Sequence, residues 1–213
     1  MSKRAIFWMN VVVWVACLSP LAWLIYRAVF TDLGADPTRT ITFATGLTTI
    51  RLLVISLAIT PLRRVSPRLS FLIKFRRELG LFTFFYASLH LLTYIGLYSY
   101  FDVHAMTADI LKRRYITAGI AAWLVLLPLA LTSTNWAIRK LGGKRWQALH
   151  RLVYLAAVLA VLHYWWLVKP GVLTPMWITF MLAVLFAARP ALSWWQKRKR
   201  TAEARRIESA KVS

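Results

Sequence analysis

Six apolar stretches, each about as long as a helix needs to cross a membrane, take up most of this chain. About 20 mostly apolar residues carry a helix through a hydrocarbon core ~30 Å thick, where every backbone N–H and C=O must find its partner inside the protein. These stretches are continuous rather than alternating, so they read as helices and not as strands of a barrel. The spans are 8–30, 44–62, 79–100, 115–132, 147–168 and 173–193. The expected fold is all-α: an integral membrane bundle of six helices over residues 1–196, followed by a basic tail, 197–213.

Charge sets the orientation. A net charge of +21 on 213 residues would suit nucleic acid, but the lysines and arginines lie in short patches between the apolar runs, where topology signals sit. With both termini in the cytoplasm, nineteen basic residues fall on that side and five on the other. Lys3 and Arg4 before a long apolar run resemble a signal peptide, yet the run continues to Phe30 without a small-x-small cleavage site, so it reads as a retained first span. The segments LGADPTRT, RRVSPRLSFLIKFRR and FDVHAMTADILKRR read as connections, and Pro20 and Pro128 as kinks within spans.

Polar groups inside the spans are the candidates for function, because hydrocarbon offers them no partner. Three are histidines: His90 in LFTFFYASLHLLTYIGLY, and His150 and His163 in ALHRLVYLAAVLAVLHYWW. A histidine pair on facing helices is one way that proteins hold haem iron. At ~1.5 Å per residue, His150 and His163 lie ~19–20 Å apart along one helix, so no single iron uses both. His90 is closer in depth to His163 than to His150, which makes His90 and His163 the expected pair near the outer face. His150 is left for an inner haem whose second ligand is not evident. On an ideal helix His150 and His163 point some 140° apart, a difference that a bend would absorb. His104, beside Asp102 in FDVHAM, reads as a solvated loop histidine.

Arg51 is the other anomaly, seven residues into the second span. It either snorkels outward or neutralises a haem propionate. Arg77 and Arg151 are similar candidates at the inner end, against the alternative of an ordinary basic collar. The single cysteine, Cys17, reads as a small buried hydrophobe. No CxxC or CxxCH is present, which excludes a cysteine-held iron–sulfur cluster and covalently attached haem. There is no GxGxxG fingerprint, so electrons arrive from a separate partner or the lipid phase.

Several segments, in this order, resemble the MsrQ (YedZ) branch of the ferric-reductase-like transmembrane superfamily: LGADP, ITPLRR, RRELGLFTFFYASLHLLTY, LALTST and RWQALHRLVYLAAVLAVLHYWWLVK. The resemblance covers roughly residues 10–190. It implies a b-type haem protein of the bacterial inner membrane, with haem-ligand histidines falling on His90, His150 and His163. It further implies electrons drawn from the quinone pool or a cytosolic flavin reductase, an associated FMN, and delivery to MsrP, a periplasmic molybdopterin enzyme that reduces methionine sulfoxide. The reduction is then expected on the partner, with this chain as the electron-transfer subunit. Two alternatives stand beside it: a ferric reductase or other cytochrome b-type subunit, and a haem-free transporter using the histidines as a proton relay.

Overall fold

The computed structural model describes residues 2–169 and 171–212; Pro170, in the expected fifth connection, lies outside the described residues. Nine α-helices follow one another: α1 (Lys3–Phe30), α2 (Pro37–Val65), α3 (Arg76–Thr93), α4 (Val103–Lys112), α5 (Arg114–Leu131), α6 (Asn135–Leu141), α7 (Gly143–Leu149), α8 (Val153–Leu167) and α9 (Thr174–Val212). Six segments are long and apolar enough to cross a membrane: Arg4–Phe30, Pro37–Val65, Arg76–Tyr98, Arg114–Leu131, Gly143–Leu167 and Thr174–Lys199. An even number of crossings puts both termini on one side, here called the terminal side.

The elements differ from the sequence expectations at places with clear physical causes. The second span begins at Pro37 rather than 44, because the Asp36 carboxylate accepts from the Arg39 amide at 2.9 Å and Pro37 occupies the first turn. The connection FDVHAMTADILKRR holds a helix of its own, α4, capped by Asp102, which accepts from the amides of His104 and Ala105. The third span ends in a π-helical turn, Tyr94–Tyr98. The fifth span is broken by a 3₁₀ turn at His150–Leu152 between α7 and α8. The basic tail continues the last span as one helix, α9.

Two antiparallel hairpins, α2–α3 and α5–α8, form the centre of the bundle. Ile50, Leu53 and Leu57 of α2 pack against Ala157 of α8 and Ile178 and Leu182 of α9. On the other side Leu126 and Leu129 of α5 enclose Ala156. Ala156 and Ala157 are both 0% exposed, the small residues that let membrane helices approach closely when no hydrophobic effect drives them together.

Two spans that contain proline are fastened there by side chains of other helices. Pro61 has no N–H, which frees the carbonyl of Leu57 four residues earlier. Arg189 of α9 donates to that carbonyl from Nη2 at 2.7 Å and to the Tyr154 hydroxyl from Nη1, clamping α9 onto α2 and α8. Beside Pro20, the Tyr86 hydroxyl enters the ladder of α1: it donates to the Cys17 carbonyl at 2.8 Å and accepts from the Leu21 amide at 3.1 Å. Tyr86 is 1% exposed and packs with Cys17, Leu52, Ile59, Leu79 and Phe82. α1 is otherwise lightly attached, with 6% of its apolar window buried, so this insertion is its principal anchor. Tyr86→Phe should cost about 1–3 kcal/mol, the cost of leaving buried partners unmet. The measurement is maleimide labelling of Cys17 in detergent, 3% exposed in the native fold: labelling should accelerate in the variant, and an unchanged rate would contradict the anchoring role.

Candidate functional site

The two central hairpins face each other across a cavity of about 460 Å³. That volume falls within the ~300–1,000 Å³ usual for cofactor and small-molecule sites. Leu47, Ile50 and Leu53 of α2, with Ile116, Ile120 and Leu126 of α5, supply much of its apolar wall. Into it project His90 from α3 and His163 from α8, whose ring centres lie 5.8 Å apart with the planes at 86°.

Each hairpin holds its histidine in the same way. His90 Nδ1 donates to the Thr42 carbonyl of α2 at 3.0 Å, and His163 Nδ1 donates to the Tyr115 carbonyl of α5 at 2.6 Å. A carbonyl can only accept, so Nδ1 carries the proton in both rings and Nε2 keeps its lone pair. That is the tautomer a metal ligand needs, fixed by a backbone partner on the other nitrogen.

Glycine makes these bonds possible. Gly46 is four residues after Thr42, and Gly119 four residues after Tyr115. In a helix the amide at i+4 already donates to the carbonyl at i, and a Cβ at i+4 leans back toward it. A Cβ at Gly46 would sit 2.9 Å from His90 Cε1; at Gly119 it would sit 2.7 Å from His163 Nδ1. Real Cβ atoms do not come so close, and both obstructions are aromatic rings held by backbone. The two glycines are therefore notches in α2 and α5 that admit an imidazole to a carbonyl already in use.

The arrangement fits a metal held by two protein ligands inside a macrocycle. Two imidazoles on opposite sides of one ion, each nitrogen about 2 Å from it, have ring centres about 6 Å apart. Among the described residues no cluster of three or more histidine, cysteine, aspartate or glutamate side chains forms a metal site. A paired set suits a tetrapyrrole, which brings the remaining four ligands itself.

His150 lies apart from this pair, at the terminal end. Its Nδ1 donates to the Trp146 carbonyl at 3.0 Å, its Nε2 lies 3.4 Å from the Ser133 hydroxyl, and its ring stacks on Trp146 with centres 3.8 Å apart. Trp146 is held in turn by donation to the Thr132 carbonyl at 2.9 Å. The 3₁₀ turn begins at His150 itself, which supplies the break in an ideal helix between His150 and His163.

The expected arginines lie outside the cavity wall. Arg51 is exposed near the middle of α2, Arg151 is exposed, and Arg77 is exposed and donates to the Asn135 side-chain oxygen at 2.6 Å. Arg76, which sequence reasoning passed over, lies within electrostatic reach of His150 and is half-buried. It precedes His90 by fourteen residues, close to four helical turns, a same-face signal that was available. His104 is exposed in the first turn of α4. The cation that does line the cavity is Arg113.

Comparison with known proteins agrees with this architecture. The family described as "Ferric reductase like transmembrane component" matches residues 38–161, which include Gly46, His90, Gly119 and His150 and end two residues before His163. A Rhodospirillum rubrum protein named "Protein-methionine-sulfoxide reductase heme-binding subunit MsrQ" is 51% identical over 180 residues, covering 84% of this chain and 86% of the relative. Proteins of the same name from Herminiimonas arsenicoxydans and Caulobacter vibrioides are 45% identical over 190 residues and 47% identical over 159, covering 88% and 74% of this chain and 87% and 74% of theirs. With six apolar spans, two hairpins that each present a histidine to one cavity, and this likeness along most of its length, the chain is a multi-pass membrane protein of the ferric-reductase-like transmembrane family and belongs, within it, to the MsrQ family.

Proposed function

We propose that this chain is the haem-carrying membrane subunit of a protein-methionine-sulfoxide reductase. In this reading it passes electrons across a bacterial inner membrane, from the quinone pool or a cytosolic flavin reductase, to a periplasmic molybdopterin subunit, MsrP, where the sulfoxide is reduced. The observation that carries it is the His90–His163 pair, with both Nδ1 atoms engaged by backbone and ring centres 5.8 Å apart. The names of the relatives supply the partner reaction.

His90 and His163 would hold a b-type haem, and His150 would serve a second one toward the terminal side. Haem supplies reversible one-electron chemistry at its iron. The chain contributes the rest. The Thr42 and Tyr115 carbonyls fix both imidazoles as neutral Nε2 donors and raise their basicity. The apolar wall excludes water, and the glycine notches set how far the rings stand from α2 and α5. The proton-relay alternative fits this geometry less well, since a relay needs both ring nitrogens to exchange protons and here each Nδ1 is tied to a carbonyl.

A reduced-minus-oxidised visible spectrum of the purified protein should show b-type bands. They should be lost or shifted to a different ligation state in His90→Ala and His163→Ala, while His150→Ala should remove a separate component. Absence of bands in the native protein, or bands indifferent to His90→Ala and His163→Ala, would sink the proposal. In cells, deletion should abolish periplasmic methionine sulfoxide repair and leave ferric reduction intact; the reverse would favour a ferric reductase.

The glycine notches make a sharper prediction. Gly46→Ala and Gly119→Ala each place a methyl where an imidazole stands, so each should lower haem affinity by about 10-fold or more, as loss of an outer-shell partner does. Haem titration of the apoprotein reads the effect. Gly80→Ala, where no side-chain or distant backbone atom lies within 4 Å of the added Cβ, should leave affinity unchanged.

A further inference from the structure

The charged residues of the cavity wall lie at one end, its mouth, on the side away from the termini. There Tyr94, Tyr98, Tyr115, Asp109 and Arg113 gather from α3, its π-helical turn, α4 and α5. Among the described wall residues Arg113 is the one cation and Asp109 the one acid. Arg113 Nε stands 3.0 Å from Asp109 Oδ1, and its Nη1 donates to the Tyr115 hydroxyl at 3.3 Å. Tyr94 donates to Asp109 Oδ2 at 3.3 Å.

The placement of Arg113 ties this mouth to the iron site. It is the N-cap residue of α5, two residues before Tyr115, whose carbonyl holds His163. No side chain caps that helix end, so its free amides add positive potential beside the guanidinium. One of the five guanidinium N–H groups serves Tyr115, and the side chain stays 55% exposed. Haem brings an apolar ring with two carboxylate arms. Apart from Arg113, the described wall residues around His90 and His163 include no lysine or arginine to pair with those arms, and a carboxylate left unpaired in such surroundings is costly. The mouth is where they can be met, and a fork of N–H donors is the group that meets a carboxylate best.

We propose that Arg113 holds a propionate of the haem bound by His90 and His163, bridging it to Asp109 at the mouth of the cavity. This rests on the haem reading above. It makes Arg113 a positioning residue: it turns the propionate edge of the ring away from the terminal side, and its charge favours the reduced, less positive haem. Arg51, which the sequence offered as a propionate partner beside an outward snorkel, does not line the cavity.

The test compares R113Q, R113K and D109N in the full-length protein at equal haem loading. Resonance Raman spectra report the propionate bending band directly, and redox titration gives the midpoint potential. The band should shift in R113Q and shift less in R113K, and R113Q should lower the potential while D109N raises it. If Arg113 merely braces α4 through Asp109, the band stays put, and R113Q and D109N, which break the same ion pair, move the potential in one direction; either result overturns the proposal. Should R113Q fail to take up haem, R113K and D109N carry the same comparison. A native protein without haem bands would instead refute the parent reading, so the two failures are distinguishable.

Discussion

Two hydrogen bonds organise the centre of this protein: an imidazole Nδ1 of one helix on a backbone carbonyl of its hairpin partner, made twice. Each bond asks the carbonyl to accept from two donors at once, which is possible only where the residue one turn on has no side chain. Thr42 with Gly46 and Tyr115 with Gly119 meet that condition on α2 and α5. The hairpins α2–α3 and α5–α8 therefore present equivalent faces to the cavity, although the sequence contains no internal repeat. The likeness lies in local geometry: a carbonyl, a glycine four residues on, and a histidine on the neighbouring antiparallel helix.

Hydrocarbon as solvent accounts for the other conspicuous side chains. In water, a carbonyl freed by proline would be hydrated. In lipid it needs a donor from the protein. Arg189 supplies one to the Leu57 carbonyl behind Pro61, and Tyr86 occupies the ladder of α1 beside Pro20. The Ala16 carbonyl that Pro20 frees accepts from Ser19 of its own helix, whereas Arg189 and Tyr86 each bridge two helices and so fix how α9 and α1 sit on the central hairpins. A polar group buried within a span is in these cases a fastening, whereas the histidine pair, with each Nδ1 tied to a carbonyl, has the form of a ligand site.

The two ends of the bundle are built differently. At the end away from the termini, the cavity opens on tyrosines and an Asp109–Arg113 pair close to His163. At the terminal end, His150 stacks on Trp146 with Arg76 nearby, and the local backbone is a 3₁₀ turn rather than an α-helix. In the proposed reading, haems at these two places would sit in different electrostatic surroundings, one beside the Asp109–Arg113 pair and one near the Arg76 guanidinium. Electron transfer with direction calls for such a difference in surroundings, because burial and nearby charge are among the levers that set a haem's potential.

Sequence by itself determined the six crossings, because hydrocarbon thickness imposes a length and apolarity that show in any one chain. Rise per residue, which converts position into depth, also put His90 nearer to His163 than to His150, by a margin of about one turn, and in the fold the rings of His90 and His163 lie 5.8 Å apart. Residues whose meaning depends on a neighbouring helix stayed hidden. Gly46 and Gly119 look like ordinary small residues until an imidazole is seen against them. Arg76 and Arg77 are adjacent letters, yet one is half-buried within electrostatic reach of His150 and the other is exposed and bonded to Asn135. Arg51, within a span, allowed two readings, an outward snorkel or a partner for a haem propionate, while Arg113 read as a loop residue. Tertiary structure put Arg113 on the cavity wall and left Arg51 off it, because depth can be counted along a chain, but the direction a side chain faces is decided by how each helix is rotated against its neighbours.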